Sequence, residues 1–152
     1  MKLLFIRHSL AIERENFSGH DFDRPLTEKG IKRAKRLFRA IKKIYEIDYI
    51  ITSTAKRALQ TAEILSHFYK EASFIKTSKL LPGANIYDLK DLIKDKDGVI
   101  AIVGHEPDLS EMIKEIMHSP NLKIKLSKPS IAEMDENILK ALLSYKHFKG
   151  IE

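Results

Sequence analysis

The sequence predicts a single α/β domain over residues 1–152, with an open, mostly parallel sheet, helices on both faces and a carboxyl-terminal edge hairpin. Three observations support this. Short aliphatic runs alternate with stretches of helical periodicity, the pattern of strands feeding helices that cover both sheet faces. No repeat, low-complexity tract or Pro/Gly/Ser-rich linker divides the chain. A domain of this length buries roughly 68–70% of its unfolded surface, enough for a core and a preformed pocket.

Lys2–Ile6 is an apolar run ending in charge, read as a buried strand. Asn16–Pro25 is a polar loop, after which Thr27 offers an N-cap. The helix that follows repeats Ile31, Ala34, Leu37, Phe38, Ile41 and Ile44 on one face, with Lys and Arg on the other. Asp48–Thr52 is a second strand. Ser53 or Thr54 is the expected cap of a helix striped by Ala58, Ala62, Leu65 and Phe68. Ser73–Ile75 is a weaker strand, and Lys79–Lys96 a loop followed by a short helix. Gly98–Val103 is almost wholly aliphatic, as a strand buried on both faces must be. Pro107 suits the start of a helix carrying Leu109, Met112, Ile113 and Ile116. Ser130–Met134 and Ile138–Tyr145 are two strands around a turn at Asp135–Asn137.

Composition removes several function classes. With no cysteine, disulfides, thiolate metal sites and cysteine nucleophiles are excluded. No apolar run approaches the roughly 20 residues of a membrane span, and Arg7-His8 interrupts the amino terminus too early for a signal peptide. A cytoplasmic protein with no membrane partner is expected, and a monomer is the simpler expectation. The net charge of +6 (27 basic, 21 acidic residues) favours anionic partners. The densest basic stretch, Lys29–Lys43, has helical spacing and reads as a solvated helix face, so nucleic acid is not an expected partner.

Arg7-His8 follows the first strand, Ser53 and then Arg57 follow the second, and Gly104-His105 follows the strand ending at Val103. Right-handed crossovers put these turns on one sheet edge, where open α/β sheets bind ligands. A histidine after a strand, or an arginine opening a helix, is by itself usually structural. Two of each at one edge form an anion site, because a guanidinium fork fits phosphate oxygens. Without a Gly-rich phosphate loop or a carboxylate cage, bound nucleotide with magnesium is not expected. A neutral imidazole can attack phosphorus and carry the phosphoryl group covalently.

At these residues the chain resembles the histidine phosphatase superfamily, the phosphoglycerate-mutase-like enzymes, and within it the SixA-like phosphohistidine phosphatases. The shared elements are Leu3-Leu4-Phe5-Ile6-Arg7-His8, Arg24-Pro25-Leu26-Thr27 with Gly30 and Ala34, and Ser53 with Arg57-Ala58 and Gln60-Thr61-Ala62. Val103-Gly104-His105-Glu106-Pro107 and Ser130-Ile131-Ala132 complete them. The resemblance implies that His8 is the nucleophile, that Arg7, Arg57 and His105 clamp the phosphoryl group, and that neither metal nor cofactor takes part. Arg24, Ser9 and Glu106 are the expected substrate-binding residues. For Arg24 a salt bridge with Asp21 or Asp23 is the structural alternative.

The chain departs from the family pattern twice. Ser9 stands where glycine is usual, and Leu80-Leu81-Pro82-Gly83 carries no acid where mutase-like members carry a glutamate proton donor. A basic alkoxide leaving group needs such a donor, whereas imidazole, with a pKa of about 6.5, does not. The expected substrate is therefore a phosphohistidine-bearing protein. The alternative is a small phosphorylated metabolite with Glu106 as acid, although a cap before Pro107 is the preferred role of that residue. A binding module without turnover, and a metal site from His8, His20, Asp21 and His105, are weaker alternatives.

Overall fold

The computed structural model describes residues 1–150. Its strands are β1 (Lys2–Arg7), β2 (Tyr49–Ser53), β3 (Ser73–Thr77), β4 (Val99–Gly104), β5 (Ser130–Asp135) and β6 (Ile138–Ser144). Its helices are α1 (Glu28–Ile41), α2 (Lys56–Phe68), α3 (Ile86–Ile93) and α4 (Asp108–Ile116), with short 3₁₀ turns between. The six strands form one sheet in the order β3-β2-β4-β1-β5-β6. β1, β2, β3 and β4 are mutually parallel, while β5 and β6 are the antiparallel hairpin expected at one edge.

Alternation along β1 divides the core. Leu4 and Ile6 face α1 and α2, where Leu37, Phe38, Ala58 and Leu65 are fully buried. Leu3 and Phe5 face the other layer with Leu89, Leu109, Met112 and Ile113 of α3 and α4. The crossovers through α1 and α2 carry the chain towards the β3 edge, and those through α3 and α4 carry it the opposite way. Because crossovers are right-handed, the two pairs lie on opposite faces. β1 and β4 are therefore neighbours whose following segments diverge, which opens a crevice at their carboxyl ends. His8 and His105 are the first residues beyond those ends.

Local chemistry sets the boundaries. The Thr27 hydroxyl accepts from the Gly30 N–H and caps α1, as expected. The expected cap of α2 is displaced: Ala55 is its N-cap, and Ser53 Oγ instead accepts from the Ala55 N–H at 3.1 Å and closes a turn. Ile44 lies beyond the end of α1 and is 58% exposed, so it does not extend the buried stripe. The β5–β6 turn holds Glu136 and Asn137 at φ 49° and 65°. Positive φ at both central residues is what a tight right-twisting hairpin requires. Among the described residues no helix is long and apolar enough to cross a membrane.

Gly30 lies in the first turn of α1, where the Leu10 backbone crosses it. A Cβ there would overlap the Leu10 carbonyl oxygen, which also accepts from the Thr27 N–H. Gly30→Ala should destabilise the fold by about 1–3 kcal/mol, the usual range for forced overpacking, as read from urea unfolding. A midpoint equal to that of the parent would show that the Leu10 segment yields freely.

Candidate active site

Three turns at the carboxyl edge build one cleft of about 250 Å³, lined by Arg7, His8, Arg24, Arg57, His105 and Glu106 among others. The His8 N–H donates to the Gly104 carbonyl, continuing the β1–β4 ladder by one residue and fixing the two histidine backbones side by side. The imidazole centroids lie 5.3 Å apart, with the rings tilted by 54°.

The partner of His8 fixes its tautomer. His8 Nδ1 lies 2.6 Å from the Ser9 carbonyl, which can only accept, so Nδ1 carries the proton and Nε2 keeps its lone pair. His105 Nε2 lies 2.9 Å from Ser53 Oγ. That hydroxyl also accepts from the Ala55 N–H, and it holds the His105 ring through Nε2, with Nδ1 turned into the cleft. Burial holds the His8 pKa well below its ordinary value, with His105, Arg57 and Arg7 adding to the effect against the Ser9 hydrogen bond. Burial also pushes His105 down to about 3, helped by the Arg57 charge. Both rings are neutral at pH 7.

Arg7 Nη1 donates to the Leu126 carbonyl at 2.6 Å, and Arg57 Nη1 to the Asp21 carbonyl at 2.9 Å. Each guanidinium is thus anchored at one end. Among the described residues, the buried side-chain nitrogens and oxygens without a partner are Arg7 Nε, Arg57 Nε and His105 Nδ1. Buried polar groups are rarely left unpaired. All three belong to this cleft, and two of them are guanidinium N–H donors, which marks it as built for an anion.

Around this floor lies a second layer. Asp21 pairs with Arg24 at 2.8 Å, Arg14 at 3.1 Å and Arg57 at 3.4 Å. Burial alone would raise its pKa, but the Arg24 hydrogen bond and the three positive charges outweigh that and lower it. Arg24 makes the salt bridge with Asp21 and also donates to the Ile12 carbonyl, while still lining the cleft. Glu106 lines the cleft too, but both its oxygens are engaged. One accepts the Ser110 N–H at 2.8 Å and the other the Ser110 hydroxyl, tying Glu106 to the first turn of α4.

Ser9 requires a correction. It was expected in the pocket, yet it is fully buried beneath it, with its hydroxyl donating to the Gly30 carbonyl and its N–H to Thr61 Oγ1. A glycine would leave the Gly30 carbonyl without that donor, so serine here joins the His8 turn to α1. Among the described residues no group of three or more His, Asp or Glu side chains is placed to hold a metal ion, and His20 Nδ1 accepts from the Phe22 N–H. Sequence reasoning missed Arg14, Glu13, Pro82 and Lys128, which also line the cleft, and the threefold pairing of Asp21.

With this geometry in view, the sequence model of the histidine phosphatase superfamily, branch 1, matches residues 3–80. An uncharacterised protein of Picosynechococcus sp. is 35% identical over 133 residues, covering 81% of this chain and 80% of its own length. The chain belongs to the histidine phosphatase superfamily, which supports a phosphatase activity. Among solved structures, a SixA protein from Agrobacterium tumefaciens superposes with a TM-score of 0.81 at 21% identity, over 94% of this chain and 97% of its own. The protein histidine phosphatase SixA complexed with tungstate gives the same score and identity, over 98% and 100% of the two chains. These likenesses show a SixA-like fold.

The neutral histidines make stability pH-dependent. Between the folded pKa values and the unfolded value of about 6.5, the unfolded chain binds more protons, so stability rises with pH. The contribution is complete above about pH 6.5 and is lost as pH falls towards about 3 for His105. His105→Gln, which cannot titrate, should therefore show a shallower loss of unfolding free energy on acidification than the parent. Parallel curves from urea titrations would show that the ring titrates alike in both states.

Proposed function

We propose that this chain is a metal- and cofactor-independent phosphatase that uses His8 as nucleophile and acts on protein-borne phosphohistidine. The observation that carries the reading is the pair of unpaired buried guanidinium donors beside a neutral imidazole whose Nε2 keeps its lone pair. His8 Nε2 attacks phosphorus, the bond to the substrate's imidazole nitrogen breaks, and the substrate ring, which reacts with a proton on its other nitrogen, leaves as neutral imidazole with the electron pair. Water then attacks phosphorus, the bond to His8 breaks and inorganic phosphate departs. Arg7, Arg57 and His105 meet the charge on the non-bridging oxygens, where donors fixed in advance do most for the rate. Arg24, tied to Asp21, holds the rim.

The substrate class rests on the lack of a free acid at the cleft floor. The loop at Leu81-Pro82-Gly83 brings no carboxylate, Glu106 is engaged by Ser110, and Glu13 and Glu15 are exposed rim residues. A leaving imidazole tolerates that arrangement better than a leaving alkoxide does. The near full-length likeness to a protein histidine phosphatase holding tungstate, a phosphate-shaped oxyanion, supports the same reading. A metabolite phosphomonoesterase is the second reading, favoured by the placement of Glu106 in the cleft lining.

Rapid quench with a radiolabelled phosphoryl donor should trap an acid-labile phosphoenzyme that His8→Ala lacks, with turnover persisting after thorough chelation. Retention of a tenth of parental turnover by His8→Ala would dismiss this nucleophile.

Glu106→Gln distinguishes the two substrate classes. The variant should change little on phosphohistidine or phenolic esters, and alkyl phosphates should be poor substrates for both proteins. A general acid would instead cost roughly 10²–10⁴ in rate, and the loss would grow with the leaving group's pKa. A steeper dependence on that pKa in the variant would favour the metabolite reading.

A further inference from the structure

The segment from the end of α4 to β5 recrosses the sheet and delivers one more cation to the cleft. Four consecutive carbonyls fix its last stretch. Leu126 accepts from Arg7 Nη1, Ser127 from Ser130 Oγ, Lys128 from Arg33 Nη1 and Pro129 from the Tyr145 N–H. Leu126 is buried in the core on one side of Lys128, and Ser130 pairs with Arg7 on the other. The backbone of Lys128 is therefore set, and its half-buried side chain lines the same cleft as His8.

The charges in the cleft are divided unequally. Arg14, Arg24 and Arg57 share Asp21, whereas among the described residues no carboxylate pairs with the Lys128 ammonium. Burial lowers its pKa, as do Arg7, Arg24 and Arg57, and Glu13 opposes them without pairing. A desolvated cation held among three guanidiniums is unfavourable unless something else compensates it. In the binding mode proposed above, Arg7, Arg57 and His105 serve the phosphoryl oxygens, which leaves the Lys128 ammonium for an anion beyond the phosphoryl group.

We propose that Lys128 is a specificity-determining residue that receives an acidic group carried by the substrate next to its phosphoryl group. The inference rests on the oxyanion-binding reading of this cleft and adds the substrate class: a phosphorylated segment with an Asp or Glu side chain adjoining the phosphorylated residue.

Inert phosphonates test this without turnover. Calorimetry would compare phenylphosphonate with a phenylphosphonate bearing a carboxylate, on the parent, Lys128→Gln and Lys128→Arg. The parent should prefer the carboxylate-bearing ligand roughly tenfold, the size of one hydrogen bond to a charged group. Lys128→Gln should bring the ratio of affinities to about one, and Lys128→Arg should keep most of it. A parental ratio near one, or a ratio unchanged in Lys128→Gln, would overturn the inference. Equal weakening of both ligands would place the ammonium on the phosphoryl group itself and also overturn it. If neither phosphonate binds the parent, the oxyanion reading falls and takes the inference with it. Failure to hydrolyse phosphohistidine alone removes that substrate and leaves the ratio to stand or fall separately.

Discussion

His8 can face His105 only because β1 and β4 lie side by side in parallel, with Arg7 in register with Gly104. One hydrogen bond, from the His8 N–H to the Gly104 carbonyl, extends that ladder just past the sheet. The divergence of the following segments then opens the space between the rings. The flanking residues are arranged around this pairing. Ser9 joins the first turn to Gly30 and Thr61, Ser53 orients the second histidine, and the segment leading into β5 brings the Leu126 carbonyl to Arg7. Each partner comes from a different part of the chain, so the site depends on the whole sheet being formed.

The same geometry carries an electrostatic penalty. Two arginines with little exposed surface face two imidazoles, and burial, the leading influence on all four, works against their charged forms. For the histidines this is useful, because a neutral ring is both nucleophile and proton-bearing donor. For the arginines it is an unfavourable state in the free protein, offset in part by Asp21 and by the Leu126 carbonyl. Buried donors without partners and stored repulsion are tolerated where a ligand will satisfy them. Stability and anion affinity therefore draw on the same residues in opposite directions.

Much of this was legible in the sequence because it is local. Aliphatic runs ending in Arg7-His8 and Gly104-His105 announce both strands and their turns, and parallel crossovers put the turns on one edge. What escaped depends on distant partners. Ser9 follows His8 in sequence, but its side chain turns to the Gly30 carbonyl where Leu10 passes over Gly30. The cap of α2 is Ala55 because β2 runs through Ser53, whose hydroxyl closes the intervening turn on the Ala55 N–H and meets His105. Lys128 was invisible until β5 was known to lie antiparallel to β1, which places the residues just before β5 at the mouth of the cleft. The dipeptide Pro129-Ser130 before an apolar run was the available signal, and it marked the strand start without its neighbour.

The Asp21 turn shows how the rim can be ordered without a lid domain. Its carboxylate is shared by Arg14, Arg24 and Arg57, and its carbonyl accepts from Arg57 as well. Arg57 belongs to the helix after β2, whereas Arg14 and Arg24 flank the turn itself, so one anion holds the loop from Glu13 to Arg24 against α2. An exposed pair contributes little to stability, but Arg57 and Arg24 are mostly buried and each makes a second hydrogen bond to a carbonyl. The network therefore orients the cations more than it neutralises them: the three charged groups paired with Asp21 are all positive. The net positive charge that remains faces the cleft, where an anionic substrate completes the balance that Asp21 begins.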